Sequence, residues 1–268
     1  FSFQPTEVVK ITLIVYLAVL ITKMGSEIND WKKVMKVGLL RALPIAAIVG
    51  ANNLSSGIII VGIAFVMLFI ASRHKVLFYA GGIAAAVVVA IAGPLAILLE
   101  KIKVLKPYQL SRIHVWLSPE AYPMDGGYQV LQGLYAIGSG GLFGKGLGES
   151  IQKMGFVPEA QNDMIFSIIC EELGFFGALC VIMIFLFLIS RFVLIANNAP
   201  DLLGALIVVG VMAHIAIQVI LNIAVVTNTI PNTGITLPFI SYGGTSVILL
   251  MAEMGMVLGV SNQIRLER

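Results

Sequence analysis

Residues 164–190 read MIFSIICEELGFFGALCVIMIFLFLIS, and this stretch decides the class of fold. An apolar run of this length can cross the hydrocarbon layer of a bilayer as a helix, which needs about 20 residues. Helices are the expected state because they satisfy their own backbone in lipid, and no strand-like alternation is visible. Six further stretches reach or approach this length, at 7–22, 37–52, 55–72, 76–98, 203–228 and 245–262. The sequence therefore predicts an all-α, polytopic membrane helical bundle with about seven transmembrane helices.

The composition points the same way. The 268 residues are 59% hydrophobic and 12% charged, with a mean hydropathy of +0.99, whereas soluble domains carry about 25% charged residues. These values exclude a soluble enzyme, a disordered chain and a disulfide scaffold. The net charge of +3 is small and scattered, so nucleic acid is not an expected partner. Three histidines and two cysteines are too few for an expected His/Cys zinc site.

The distribution of Lys and Arg predicts the orientation. The connections at 23–36 and 73–75 are rich in these residues, whereas those at 52–53 and 229–244 contain none. The positive-inside rule places the basic connections in the cytoplasm. Residues 99–163 then form a large extracytoplasmic loop, in which we expect short helices folded over the outer mouth of the bundle. Residues 1–268 are expected to form a single membrane domain.

Four polar clusters interrupt this apolar background. The first is QPTE at residues 4–7, followed by Lys10. The second is GGYQ at 126–129 with AIGSGGLFGKGLG at 136–148, within the large loop. The third is FVPEAQNDMIFSIICEELGFFG at 156–177, where the loop enters the next span, and the fourth is PNTGITLPFISYGGTS at 231–246, between the last two spans. Each cluster has a functional and a purely structural interpretation.

Glu7 and Lys10 lie three residues apart and share a helix face, so a polar cavity would relieve the cost of placing them in a span. The alternative is an interfacial cap with a snorkelling lysine. The glycine-rich stretch can bring amides and Lys145 to an anion, although it does not match a P-loop; the alternative is a flexible loop. Asp163, at a membrane mouth, is either a general base or a helix N-cap, and the residue pattern alone favours the cap.

The motifs together resemble the SEDS family of shape, elongation, division and sporulation proteins (the FtsW/RodA/SpoVE type). The resemblance runs from Gln4 to about Gly259 and is carried by QPTE-x-x-K, R-x-x-x-WLSPE, GGYQ, AIGSGGLFGKGLG, PE-x-x-x-DMIF-x-x-x-x-EELG and TGITLPFISYGGTS. Members of the family usually have ten spans. The seven here resemble the last seven, so we expect an N-terminally truncated fragment that begins without the first spans. NNLSSG at 52–57 departs from the family's usual QPDLG stretch.

The resemblance implies a peptidoglycan glycosyltransferase that polymerises lipid II into glycan strands at the outer face of the cytoplasmic (inner) membrane, for cell division or cell shape. The likeness around EAQNDMIF favours the division type. The family's essential aspartate matches Asp163, which favours the general base over the cap. The expected partners are lipid II, membrane lipids and a class B penicillin-binding protein transpeptidase.

Further residues are expected to bind the substrate, and the cations among them would stabilise the departing pyrophosphate. They are Glu7, Lys10, Arg112, Gln129, Lys145, Lys153, Glu159, Ser241 and Tyr242. A divalent cation, Mg²⁺ or Mn²⁺, stays open as a cofactor, with no metal ligands assigned. Two alternatives also stay open: a flippase or transporter for the lipid-linked precursor, and a non-catalytic scaffold of the cell-wall synthase.

Overall fold

The structure, a computed structural model, describes residues 4–34, 38, 40–72, 75, 78–83, 87, 91, 107–124 and 126–264. Within these ranges the chain is helical and contains no β-strand. Helices longer than one turn are α1 (Pro5–Met24), α2 (Leu40–Asn52), α3 (Leu54–Ala71), α4 (Pro107–Leu117), α5 (Gly127–Gly140), α6 (Ile165–Asn197), α7 (Leu202–Val226) and α8 (Gly244–Asn262). Shorter helical turns occupy Gly25–Asn29, Trp31–Val34, Pro119–Ala121 and Gln152–Met154.

The membrane character of the bundle is supported by four helices. α3, α6, α7 and α8 are each long and apolar enough to cross a bilayer, and they coincide with the predicted spans 55–72, 164–190, 203–228 and 245–262. α1 covers the predicted span 7–22, and α2 covers residues 40–52 of the predicted span 37–52. Most of the predicted span 76–98 lies outside the described residues, so the total of seven spans stays a prediction.

The chain divides into two compact units, and α6 and α7 each contribute residues to both. The first unit comprises Phe1–Phe78, Ile184–Val219 and Gly243–Arg268, and the second comprises Tyr79–Met183 and Ile220–Tyr242. The expectation of a single membrane domain stays a prediction.

Close helix packing organises the first unit. α1 buries Leu13, Ile14, Leu17, Ala18 and Ile21, whose spacing of three to four residues forms one apolar face. Glycines on the neighbouring helices let the backbones approach. A Cβ atom on Gly210 of α7 would lie only 2.5 Å from Ile14. In the same way, Gly57 of α3 packs against the main chain of α2, and Asn53 caps α3 by accepting from the Ser56 amide.

A buried polar pair also lies in the first unit. The Nδ1 atom of His214 in α7 lies 2.9 Å from both carboxylate oxygens of Glu253 in α8, and both side chains are almost fully buried. Glu253 is therefore the hydrogen-bonding partner of this buried histidine. Pairing explains how two polar groups are accommodated within apolar helices.

In the second unit, α5 lies against the beginning of α6 and runs in the same direction. Gly133 of α5 faces Met164 and Ser167, and seven residues later Gly140 packs on the Cys170 carbonyl. A Cβ atom on Gly140 would lie 1.9 Å from that carbonyl oxygen, so only glycine permits the approach. Short helices occupy part of the described residues between 99 and 163, and α5 lies alongside the first turns of α6. That these residues form a large extracytoplasmic loop stays a prediction.

α6 is interrupted at Gly174, which has φ 67° and ψ −166°. The interruption leaves carbonyls before it and amides after it without helical partners. Residues 141–148, hereafter the glycine loop, supply those partners. The Lys145 amide donates to the Glu171 carbonyl (2.9 Å), and the Phe175 amide donates to the Gly141 carbonyl (2.9 Å). Two parallel bonds, from Gly146 to Glu172 and from Phe176 to Leu142, complete the junction.

The position of this junction along α6 is informative. Gly174 follows the first residue of α6 by nine positions, or about 14 Å at 1.5 Å per residue. The glycine loop therefore reaches well along a helix that is long enough to span the membrane. Irregular backbone at such a depth is stable only when protein groups satisfy its amides and carbonyls, and the junction meets this requirement.

Candidate active site

Asp163 lies in the turn that leads into α6, and 8% of its surface is exposed. Burial raises the pKa of its carboxyl group from 3.8 to about 6. A hydrogen bond from its own main chain, the positive charge of Arg112 and a hydrogen bond from Gln129 act in the opposite direction, while the Glu159 carboxylate adds to the rise. A buried carboxylate that titrates near neutral pH has the property expected of a general base.

The alternative role of Asp163, a helix cap, would require its carboxylate to accept from amides in the first turn of α6. Among the hydrogen bonds of the described residues, none joins the Asp163 side chain to those amides. The Asp163 side chain instead accepts from Gln129, which belongs to α5. This geometry is not that of a helix cap, and the role of general base stays a prediction.

An amide network surrounds the carboxylate. Gln129 donates through Nε2 to Asp163 Oδ1 (3.4 Å) and to the Pro158 carbonyl (3.2 Å), and accepts at Oε1 from Asn232 Nδ2 (2.8 Å). Asn232 in turn accepts at Oδ1 from the Gly234 amide (3.0 Å). Gly234 has φ 69°, and a Cβ atom on it would lie 3.9 Å from Asp163 Oδ2. Glycine therefore brings this turn against the carboxylate without backbone strain.

The main chain around Asp163 is fixed separately. Asn222 of α7, which is 0% exposed, donates to both the Asp163 carbonyl (2.8 Å) and the Ile235 carbonyl (2.7 Å). Ser241 is buried and donates to the Asn162 carbonyl (2.6 Å), while the amide of Tyr242 donates to the Gln161 carbonyl (2.8 Å). The segment 161–163 is thus attached to α7 and to the connection that follows it.

Asn222 and Asn232 were not among the predicted site residues. Asn222 could have been noticed as one of the few polar side chains within a largely apolar predicted span. Asn232 carries no such signal, because an asparagine that follows a proline and precedes a glycine by two residues is ordinary turn chemistry.

Ser241 and Tyr242 adopt different environments although they are neighbours in the sequence. The Ser241 side chain is used structurally: it accepts from the Leu237 amide as well as donating to Asn162. Tyr242 is 74% exposed, so its ring and hydroxyl are accessible from solvent or lipid. Their predicted substrate contacts, like that of Gln129, stay predictions.

Two of the three lysines predicted to stabilise the pyrophosphate, Lys145 and Lys153, form ion pairs with residues of α6. Lys145 Nζ lies 2.6 Å from Glu171, and Lys153 Nζ lies 2.6 Å from Glu172. Glu171 is 0% exposed and also accepts from the Ser150 hydroxyl. Lys145 therefore serves at least to neutralise a buried carboxylate, which would otherwise be strongly destabilising.

Lys153 and Glu159 share a second feature. Together with Gln161 they line a pocket of about 590 Å³, whose apolar lining includes Ile165 and Ile168 at the start of α6. Glu159 has a φ of 55° and accepts from the Asn162 side chain. A pocket lined by both polar and apolar side chains suits a ligand that itself has a polar and an apolar part.

The remaining predicted residues are Glu7, Lys10 and Arg112. Glu7 and Lys10 form an ion pair of 2.7 Å on α1 in the first unit, and Lys10 is 1% exposed although it is charged. Their sharing a cavity with Asp163 stays a prediction. Arg112 is exposed on α4 and attracts the Asp163 carboxylate electrostatically. The described part of the chain contains no group of three or more His, Cys, Asp or Glu side chains suited to a metal ion.

Apolar helices, an interrupted helix long enough to span a membrane and a buried carboxylate just before that helix define a polytopic membrane protein with a candidate site where α6 begins. Residues 1–266 match the model of the family described as cell cycle protein, which covers FtsW, RodA and SpoVE. The chain belongs to this family, as the motifs indicated.

Among its curated relatives, stage V sporulation protein E of Bacillus subtilis (strain 168) is 40% identical over 270 residues, covering 99% of this chain and 70% of the relative. The probable peptidoglycan glycosyltransferase FtsW of Geobacter sp. (strain M18) is 34% identical, with the same coverage. The protein of that name from Bacillus subtilis is 37% identical, covering 97% and 64%. Relatives named for division and for sporulation both match, so the division type stays a prediction.

Solved structures share the fold. One chain of a peptidoglycan synthase complex, described as coordinating polymerization and crosslinking, superposes with a TM-score of 0.75 at 28% identity, covering 100% of this chain and 72% of its own length. The rod shape determining protein RodA of Thermus thermophilus superposes with a TM-score of 0.64 at 24% identity, covering 100% and 68%.

Proposed function

We propose that this protein is a peptidoglycan glycosyltransferase that polymerises lipid II at the outer face of the cytoplasmic membrane, with Asp163 as its general base. Membership of the family and relatives named peptidoglycan glycosyltransferase support the enzyme class. The observation that carries the residue assignment is the buried carboxylate of Asp163, which titrates near pH 6 at the beginning of a helix long enough to span the membrane.

The reaction requires a hydroxyl group to become a nucleophile. The 4-hydroxyl of the acceptor sugar attacks the anomeric carbon of the growing chain, and undecaprenyl pyrophosphate leaves. As the new bond forms, the hydroxyl loses its proton, which Asp163 accepts. With a pKa of about 6 the carboxylate is about 90% ionised at pH 7 and still basic enough to take the proton.

The position of Asp163 suits a substrate that is part lipid and part sugar. The polyprenyl tail lies in the bilayer and the sugars lie just outside it, so a base at the outer end of α6 meets the reacting hydroxyl. The pocket lined by Lys153, Gln161 and Ile165 likewise offers both polar and apolar side chains to such a substrate. This arrangement requires the predicted orientation, with residues 229–244 outside.

The leaving pyrophosphate needs positive charge. Arg112 is the predicted cation whose field reaches the Asp163 carboxylate, and its side chain is exposed. Lys145 and Lys153 are engaged with Glu171 and Glu172, so they would have to exchange partners to bind phosphate. Arg112 is therefore our first candidate, and Mg²⁺ or Mn²⁺ bound with the substrate could supplement its charge.

A class B penicillin-binding protein transpeptidase is the proposed partner. A synthase that both polymerises and crosslinks peptidoglycan needs a second activity besides glycosyl transfer. The solved complex that shares this fold is described as coordinating those two activities, which supports the proposal for this chain.

The test is polymerisation of purified lipid II by the full-length protein with its transpeptidase partner. Asp163→Asn should lower the rate by about 10²–10⁴-fold, the usual contribution of a general base. Asp201→Asn is the matched control: Asp201 accepts from the Gly204 amide and caps α7, so the same substitution there should leave polymerisation near the wild-type rate. A near wild-type rate for Asp163→Asn would show that the base lies elsewhere.

The same experiment separates the alternative functions. A flippase would move fluorescent lipid II across vesicles without forming polymer, and a scaffold would do neither while still binding the transpeptidase. The helix break at Gly174 is a feature that transporters also use. Glu171 lies three residues before the break, and its two carboxylate oxygens already accept hydrogen bonds from Lys145 and Ser150. This favours a structural role for the break.

A further inference from the structure

The amide network beside Asp163 has a defined direction. At one end the Gly234 main-chain amide can only donate, and it donates to Asn232 Oδ1. Asn232 must therefore turn its NH₂ group towards Gln129, whose Oε1 accepts it. The NH₂ group of Gln129 then faces the opposite way, towards Asp163 Oδ1 and the Pro158 carbonyl, both of which can only accept when Asp163 is ionised.

Resting on the function proposed above, we propose that Asn232 is a positioning residue, which locks the Gln129 amide so that a donor and not an acceptor faces the catalytic carboxylate. Asn232 contacts neither the carboxylate nor, in this assignment, the substrate. It acts through Gln129, and its effect is on the orientation and the charge state of Asp163.

The need for such a lock follows from the symmetry of the amide group. The oxygen and nitrogen ends of a glutamine side chain are nearly equal in shape, so packing alone selects neither orientation. A hydrogen bond to the charged form of a carboxyl group lowers its pKa, whereas an acceptor in the same place disfavours ionisation. Burial already raises the pKa of Asp163, so a reversed amide would raise it further and leave less of the carboxyl group ionised near pH 6.

The other groups that act electrostatically on Asp163 define the background for the test. Glu159, from the preceding turn, disfavours its ionised form, and Arg112, from α4, favours it. Neither takes part in the hydrogen bonds between Gly234, Asn232 and Gln129. Substitution of Asn232 therefore changes the amide orientation while both of these groups remain in place.

Two substitutions of Asn232 should have different effects on the orientation of the Gln129 amide. In Asn232→Asp, one oxygen still accepts from Gly234, but the other cannot donate. Gln129 must then reverse and present its carbonyl to Asp163. In Asn232→Ala the lock is lost, yet Gln129 is free to keep donating to Asp163. Asn232→Asp alters the side chain less than Asn232→Ala does, yet it should change the pKa of Asp163 more. Simple loss of the contact would predict the opposite order.

The measurement is the pH dependence of kcat/KM for lipid II polymerisation by the full-length protein with its partner. Asn232→Asp should move the acid limb of this pH profile, where activity falls as Asp163 is protonated, to higher pH by about one unit. The value of kcat/KM at pH 6 should then fall about fivefold and recover by about pH 8. Asn232→Ala should move the limb by less than half as much. The position of the limb does not depend on the amount of folded protein, so partial unfolding leaves the readout intact.

A double-mutant cycle separates amide orientation from the added negative charge. Gln129→Met removes the amide, and in that background Asn232→Asp should cause little further movement of the limb. Asn228→Asp is the matched control in the same connection: Asn228 donates to the Trp116 carbonyl and lies outside the network, so its acid limb should stay where the wild-type limb is.

The proposal is overturned if Asn232→Asp leaves the limb unmoved, if Asn232→Ala moves it equally, or if Asn232→Asp moves it equally with and without Gln129. These outcomes differ from failure of the proposed function. Full activity of Asp163→Asn would remove the base itself, whereas an inactive Asp163→Asn with an unmoved limb in Asn232→Asp would refute only the role of Asn232.

Discussion

Substitution of the proposed base should stabilise the protein while inactivating it. Asp163 is 8% exposed, and burial raises the pKa of its carboxyl group from 3.8 to about 6. A difference of about two pH units corresponds to about 3 kcal/mol of unfolding free energy that the ionised carboxylate removes. Asparagine keeps the shape and can still accept from Gln129, but it carries no buried charge. Catalytic residues often carry such a stability penalty.

The direction of the Asp163 pKa shift determines the pH range over which stability changes. Because the folded pKa is raised, the folded state holds a proton that the unfolded state has already released between about pH 4 and pH 6. Stability of the wild-type protein therefore falls as the pH rises through this window and is not recovered above it. Asp163→Asn lacks this loss, so the difference between the two proteins should grow from about pH 4 to pH 6 and then stay constant.

Thermal unfolding of the purified protein in one detergent, at several pH values between 4 and 8, measures this difference. For a chain of this size, about 3 kcal/mol corresponds to about 6–12 °C in Tm. Asp201→Asn, at an exposed cap, provides the comparison and should be slightly less stable than the wild type. If Asp163→Asn is no more stable than the wild-type protein at pH 7.5, or if the difference does not depend on pH, burial of the ionised Asp163 carboxylate does not lower the unfolding free energy.

Three further predictions concern the loop and the orientation. Lys145→Met should destabilise the protein by about 3–5 kcal/mol in thermal or denaturant unfolding, because it leaves Glu171 charged and buried without its partner; an effect smaller than that of Glu171→Gln would contradict this. Gly174→Ala should lose more than about 2 kcal/mol, since φ is 67° and the added Cβ would meet the main chain of the glycine loop, and a melting temperature equal to the wild type would show that the junction contributes little. In a cysteine-free background, an impermeant maleimide applied to intact cells should label a cysteine at Glu120 and not one at Lys33, and the reverse pattern would invert the proposed topology.

The local character of this protein could be read from its sequence. Apolar length predicted α3, α6, α7 and α8, because a membrane helix satisfies its own backbone and depends little on distant residues. The six motifs taken together indicated the family, and the one around Asp163 singled out the residue that the structure buries just before α6. Each of these features is encoded by residues that are close together in the chain.

The tertiary structure decided what each polar residue does. Lys145 was expected to bind an anion, and its partner turned out to be Glu171, 26 residues away, because the glycine loop completes the interruption at Gly174. Asn232 had no visible role until folding placed it beside Gln129, 103 residues away in the sequence. Hydrogen bonds depend on distances of about 3 Å and on the direction of each donor. Sequence spacing carries this information within a helix, but between helices only their packing can supply it.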